Sequence, residues 1–255
     1  MSGDDCQEPS TRPACAKCGV EQGARMALRG LIFDFDGLIV DTETATLDAW
    51  QAVHLEDGLE GDPAVLHQVV GHVGIDADLW VAYPADRDRD QLEARFALAT
   101  RAACLAAPVL PGVVDLLDEA AAAGLRLAVA SNSSHRHVEG HLAARGLLGR
   151  FAVVSCREDV PRPKPAPDVY LAALARLGLE AGQVVAFEDS LPGHAAAAAA
   201  GLRVIVVPNP CTAGDHFHRA TWRAGSLTEV TLGKLEQLLL PQGLAAGGVQ
   251  GAVFQ

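Results

Sequence analysis

The sequence predicts an α/β fold in which a parallel sheet carries helices on both faces and a helical segment is inserted after the first strand. Three observations predict it. From Leu31 onward, short apolar runs alternate with stretches of helical spacing, the pattern of strands joined by right-handed crossovers. The strand-like runs are apolar throughout, as in a sheet covered on both faces. Residues 44 to about 108 contain no such run and hold only helical patterns.

The elements follow in order. LIFDF (31–35) is short and apolar, which marks a buried strand. LDAWQAVHLEDGL, PAVLHQVVGH and DQLEARFALATRAACLA then carry apolar residues at helical spacing. Pro111 and Gly112 open a helix with Val113, Val114, Leu116, Leu117 and Ala120 on one face, and Gly124 closes it. LRLAVAS (125–131) is the second strand. A helix through Val138 and Leu142 ends at Gly146, before the strand FAVVS (151–155). Pro167 starts a helix carrying Val169, Tyr170, Ala173, Leu174 and Leu177, and Gly178 stops it. VVAFE (184–188) is a strand, the Ala-rich run 195–200 a helix, and LRVIVVP (202–208) a strand.

These elements divide the chain into a Rossmann-like core (29–43 and 109–240), an inserted α-helical cap domain (44–108) and tails at 1–28 and 241–255. The first 28 residues lack the apolar centre of a secretory signal and read as a disordered tail, with Met26 an alternative initiator. Cys15 and Cys18 form a CxxC, but no second pair completes a zinc site. Six scattered cysteines fit a reducing cytoplasm. The hydrophobic content of 49% suffices for a sizeable core. The net charge of −12 argues against nucleic acid or an anionic membrane as partner. No apolar run reaches the roughly 18 residues of a membrane helix. Monomer is the default oligomeric state.

Chemistry gathers at the ends of the strand runs. Asp34 and Asp36, two apart in DFDG, project to one side of an extended chain. Carboxylates that close repel unless a cation lies between them, and Mg²⁺ takes a few carboxylates together with a substrate phosphate. Gly37 suits a tight turn away from the strand. Ser131 and Asn132 end the second strand with donors suited to phosphate oxygens. Lys164, between prolines, sits on a stiff loop where its ammonium can neutralise a transferring phosphoryl group. Glu188 and Asp189 add a second carboxylate pair. All four groups fall at or beyond the carboxyl ends of parallel strands, where open α/β sheets bind ligands. Together they point to a Mg²⁺-plus-phosphate site.

DFDGLIVDTE, Ser131-Asn132, Lys164 and Glu188-Asp189, in this order, resemble the four motifs of the haloacid dehalogenase superfamily. RPKPAPDVYLAAL and VVAFEDSLPGHAAAAAAGL resemble its β-phosphoglucomutase-like phosphatases, which carry a helical cap. The resemblance covers roughly residues 30–240. It implies that Asp34 attacks phosphorus and becomes an aspartyl-phosphate, and that Asp36 serves as acid and then base. It implies Mg²⁺ on Asp34, the Asp36 carbonyl and Asp189, with Glu188 as a further ligand or beside them. Ser131, Asn132 and Lys164 would hold the phosphoryl oxygens. Thr42 and Glu43 would contact substrate or hinge, and Asp41 would shape the turn or cap the next helix. Dehalogenases of this fold lack the second Asp, so Asp36 favours phosphoryl transfer.

The expected activity is hydrolysis of a phosphomonoester on a small phosphorylated metabolite, a sugar or related phosphate. The alternative is a sugar phosphomutase, a subgroup that carries His four residues after the position of Thr42; here Thr46 stands there. In the cap, His67, His72, Trp80, Arg95 and Arg101 have useful chemistry, and His72, in VVGHVG, is the candidate for a substrate-facing loop. Arg87 and Arg89 read as a solvated helix start. His135 and His137 could lie at the site mouth or on a helix surface. His216 and His218 lack a third metal ligand.

Overall fold

The computed structural model describes residues 27–67 and 77–239. Residues 1–26, the C-terminal tail and the expected substrate loop around His72 lie outside the described residues, whereas Leu28, expected at the end of the disordered tail, is buried in the core. Strand β1 (Gly30–Phe33) leads into the inserted helices α1 (Thr42–Glu56), α2 (Pro63–His67) and α3 (Arg89–Ala106). The chain continues through α4 (Val113–Ala122), β2 (Arg126–Ala130), α5 (His135–Ala144), β3 (Val153–Ser155), α6 (Asp168–Leu177) and β4 (Val184–Glu188). It closes with α7 (Leu191–Ala199), β5 (Arg203–Val206), β6 (Trp222–Arg223) and α8 (Leu232–Leu239). No helix among the described residues is long and apolar enough to cross a membrane.

All strands of the described sheet pair in parallel, in the order β3-β2-β1-β4-β5-β6. The chain runs outward from β1 to β2 and β3, then returns to β4 on the other side of β1. The direction of winding reverses there, which opens a crevice at the carboxyl ends of β1 and β4. Alternate strand residues feed two cores. Leu31, Phe33 and Phe187 pack with Leu116 and Leu117 of α4, Val138 and Leu142 of α5, and Leu235 of α8. Ile32 and Ala186 pack with Val169, Tyr170 and Ala173 of α6, and with Ala196 and Ala197 of α7. The Ala-rich face of α7 brings its backbone close to the sheet.

The inserted helices have their own apolar cluster, built on Trp50, Val53, Leu66, Trp80, Tyr83 and Leu92. Trp80 lies in this cluster with Nε1 donating to Glu93 at 2.5 Å, so it faces inward. Arg95 pairs with Glu56 and Asp57, each at 2.7 Å, and is likewise engaged within the insertion. Asp88 accepts from the Gln91 amide and starts α3, while Arg87 and Arg89 pair with Asp57 and Asp78. The two passages between insertion and sheet run side by side: Val40 bridges Val109, and Leu110 N donates to Ile39 O at 2.9 Å. Arg145, at the end of α5, donates to the carbonyls of Cys104 (2.9 Å) and Ala107 (2.6 Å) where α3 returns to the sheet.

Candidate active site

The register of β1 against β4 pairs Phe33 with Phe187, so the next residues, Asp34 and Glu188, emerge side by side. Asp34 N donates to Phe187 O at 2.9 Å and fixes the strand end. The chain then turns at Gly37, whose φ of +76° favours glycine. A Cβ at Gly37 would also run into the Asp189 carboxylate and the Asn209 amide. Asp41 accepts from Thr44 N at 3.1 Å and starts α1, as the sequence suggested.

Lys164 reaches this corner from the loop before α6. Its buried Nζ donates to Asp34 Oδ1 at 2.5 Å and Glu188 Oε1 at 2.6 Å. Asn132 holds the loop in place, accepting from Lys164 N at 2.7 Å and donating to Lys164 O at 3.3 Å. Ser131 is buried at the end of β2, its hydroxyl accepting from Ser133 N at 3.0 Å. Thr42 donates to Asp36 Oδ1 at 2.8 Å, and Glu43 accepts from Asn209 at 2.5 Å. The structure therefore brings together the four core motifs and the entrance to the insertion: Asp34, Asp36, Thr42, Glu43, Ser131, Asn132, Lys164, Glu188 and Asp189. All but Glu188 line a cavity of about 310 Å³, and Glu188 is fully buried against Lys164. Trp80, Arg95, Arg101 and His135 do not line the site.

The carboxylates carry more negative charge than one ammonium can balance. Burial pushes the Asp34 carboxyl up to about 8; Lys164 pulls against this, while Glu188 and Asp36 add to the rise. Burial also raises Asp189 well above the carboxylate range, reinforced by Glu43, Asp34 and Glu188. Burial pushes Glu43 up to about 7 despite the Asn209 hydrogen bond. For Lys164, burial opposes the charged form, but Asp34 and Glu188 outweigh it and hold the ammonium firmly protonated.

Asp34, Glu188 and Asp189 present oxygens within 4.8 Å of one another, and Asp189 Oδ1 is buried without a hydrogen-bond partner. A cluster of hard oxygen donors with one orphaned lone pair fits a divalent cation of the Mg²⁺ type. Such an ion would supply the positive charge that keeps these carboxylates ionised.

Four participants escaped the sequence reading or were left ambiguous in it. Tyr170 donates its hydroxyl to Glu188 Oε1 at 2.5 Å from the buried face of α6. Asn209, after β5, also donates to Asp189 Oδ2 at 2.7 Å; its signal was a polar residue just past an apolar strand run. Ser133 donates to Asp36 Oδ2 at 2.6 Å, and His137 Nε2 donates to Asp36 Oδ1 at 2.9 Å. The structure thus decides the His137 alternative in favour of the site mouth. Burial opposes the Asp36 carboxylate, but donors from His137, Ser133 and Thr42 outweigh it and hold its carboxyl below the usual range.

The profile of the haloacid dehalogenase-like hydrolases matches residues 28–201. Protein CbbY of Rhodobacter capsulatus is 35% identical over 228 residues, 84% of this chain and 100% of that protein. Hexitol phosphatase B of Escherichia coli K12 is 33% identical, covering 78% of this chain and 93% of that protein. The crystal structure of CbbY from Rhodobacter sphaeroides with phosphate is 29% identical, with a TM-score of 0.64 over 79% of this chain and 96% of that one. The chain belongs to the haloacid dehalogenase-like hydrolases, and within them to the β-phosphoglucomutase-like phosphatases.

Proposed function

We propose that the protein is a Mg²⁺-dependent phosphomonoesterase that works through an aspartyl-phosphate on Asp34. The observation that carries this is the convergence of Asp34 and Asp36 with a buried Lys164 and an incompletely balanced carboxylate cluster. Asp34 attacks phosphorus in line, and Asp36 protonates the departing oxygen. Asp36 then accepts a proton from the water that breaks the Asp34–phosphorus bond. Lys164 neutralises the phosphoryl oxygens, with Ser131 and Asn132 as further donors. Asp34, the Asp36 carbonyl and Asp189 would hold Mg²⁺, with Glu188 beside them.

The helices at 44–108 act as a cap whose closure excludes bulk water from the chemistry. A small sugar or polyol phosphate is the substrate class we favour. Hexitol phosphatase B and the cavity wall both support it: Thr46, Thr100 and Cys104 offer small polar groups beyond the phosphoryl corner. Among the described lining residues, Lys164 and His137 are the basic ones, enough for one phosphate. A phosphomutase is disfavoured at Thr46, whose hydroxyl donates to Thr42 O at 2.7 Å and offers no base of the histidine kind. Scattered cysteines favour a cytoplasmic enzyme, and we take it as a monomer.

Asp34→Asn is expected to abolish Mg²⁺-dependent release of phosphate from 4-nitrophenyl phosphate without changing the circular dichroism spectrum. Substantial residual activity would exclude the covalent route. A phosphate-release screen over phosphorylated metabolites identifies the substrate. Fast isomerisation of β-glucose 1-phosphate with little free phosphate would favour the mutase instead.

A further inference from the structure

We propose that His137 is the positioning residue for Asp36, fixing the carboxyl for proton transfer to the leaving oxygen; this rests on the role given to Asp36 above. Asp36 lies beyond the end of β1, on the turn into the insertion, and is only half-buried. Three side chains hold it: Thr42 and His137 on Oδ1, and Ser133 on Oδ2. They differ in what anchors them. Thr42 is the first residue of α1 and so belongs to the insertion rather than to the sheet's own helices. Ser133 lies in the loop after β2, and its hydroxyl is a rotatable donor.

His137 is anchored in the core. It precedes Val138, and with Leu142 that side chain is fully buried against the sheet. The His137 ring stands edge-on to Phe35 at 5.6 Å and lies 4.5 Å from His141, so its plane is set on two sides. The same face of α5 continues one turn on to His141 and a further turn to Arg145, which contacts His141 and grips the carbonyls at the end of α3. One rigid helix face thus holds the Asp36 carboxylate and the chain's return from the insertion.

The proton accounting leaves His137 unchanged. The donors hold Asp36 as the carboxylate in the structure, so it enters this step carrying a proton taken from solvent or from the hydrolytic water of the preceding turnover. As the Asp34–phosphorus bond forms and the phosphorus–oxygen bond of the ester breaks, that proton passes from Asp36 to the leaving oxygen. The resulting Asp36 carboxylate keeps the N–H of His137 as a fixed donor. Its negative charge develops where that donor already points, so no reorganisation is needed at the moment of transfer. A misplacement on the ångström scale is enough to lower the rate by up to about 100-fold.

The test compares kcat/KM for phenyl phosphate with that for 4-nitrophenyl phosphate, whose departing oxygen needs far less help from an acid. His137→Phe keeps the ring and removes the donor. It is expected to lower both rates, with the phenyl phosphate loss about ten-fold the larger. His137→Asn, whose amide is too short to reach Asp36, is expected to repeat that selective loss. His137→Gln, which can restore a donor, should bring the ratio back toward wild type. Equal losses on the two esters in both His137→Phe and His137→Asn would overturn the proposal. Asp36→Asn separates this failure from failure of the underlying assignment. A selective loss in Asp36→Asn without one in the His137 variants sinks the role of His137 alone. No selective loss in Asp36→Asn removes Asp36 as the acid, and the proposal with it.

Discussion

Replacing Lys164 with methionine keeps most of the side-chain volume and removes a buried ammonium that lies 2.5 Å from Asp34 and 2.6 Å from Glu188. Removing one partner from a buried ion pair costs about 3–5 kcal/mol, because the remaining charge loses its compensation. Asp34 moderates this: with its carboxyl already pushed up to about 8, it takes up a proton near neutral pH. At about 2–4 °C per kcal/mol for a chain of this size, the lower end of the cost corresponds to a fall of about 6–12 °C in Tm in EDTA. A divalent cation displaces the Asp34 proton and no longer competes with the ammonium for Asp34 and Glu188, so it binds the cluster more tightly than in wild type. A ligand present at about 100 times its Kd stabilises by about 2.7 kcal/mol, so Mg²⁺ should recover much of the lost Tm. Phosphate release should nevertheless stay down by about 100- to 1,000-fold, the usual consequence of removing a donor that meets developing negative charge. Thermal melts of both proteins, with EDTA and with saturating Mg²⁺, check this alongside a phosphate-release assay. A variant as stable as wild type in EDTA would refute the electrostatic reasoning. A Mg²⁺-induced rise no larger than that of wild type would refute it equally.

Three further outcomes follow from other parts of the molecule. A Cβ at Gly193 would overlap the Glu188 carboxylate; Gly193→Ala should therefore cost about 1–3 kcal/mol in a urea melt and reduce activity, and a neutral result would show that α7 can shift freely. Trp50 is buried at the centre of the inserted helices, with Nε1 donating to Leu79 O at 3.1 Å. Trp50→Ala should cost about 3–5 kcal/mol, read by the same melt, and a loss below about 1 kcal/mol would mean that the cluster adds little. At His135, burial opposes the cation, but Asp159 and Glu139 outweigh it and raise its pKa above 6.5. Its stabilisation is fully present below the unfolded value and is lost as pH rises through the folded one. The Tm deficit of His135→Gln should thus be larger at about pH 5.5 than at about pH 8.5, and a pH-independent deficit would contradict the ion-pair assignment.

The strands on either side of the site were legible because fully buried parallel strands leave apolar runs that polar residues terminate. LIFDF, LRLAVAS, VVAFE and LRVIVVP each mark a strand to within a residue or two. β6 was not legible: two residues, Trp222 and Arg223, are too short to show a period, and they form a strand only because β5 offers an edge. Helix α1 begins at Thr42, two residues before the expected boundary of the insertion, because Asp41 caps it there. At the site, residues displayed directly by strand ends could be read, whereas those placed by packing could not. Tyr170 shares the apolar spacing of α6, and only the seating of that helix on the sheet aims its hydroxyl at Glu188. His137 likewise depends on the rotation of α5, which the buried pair Val138 and Leu142 sets. Asn209 depends on how the chain folds back after β5.

The covalent role of Asp34 can be tested by trapping the intermediate. Asp36→Asn lacks the base for the second step but can still accept a phosphoryl group from 4-nitrophenyl phosphate, whose leaving group needs little protonation. Rapid acid quench of this variant with Mg²⁺ and 4-nitrophenyl phosphate, followed by peptide mass spectrometry, should find one phosphoryl group on Asp34 that hydroxylamine removes. A variant that releases nitrophenol in a burst while Asp34 stays unmodified, or that carries the phosphoryl group on another residue, would contradict the mechanism.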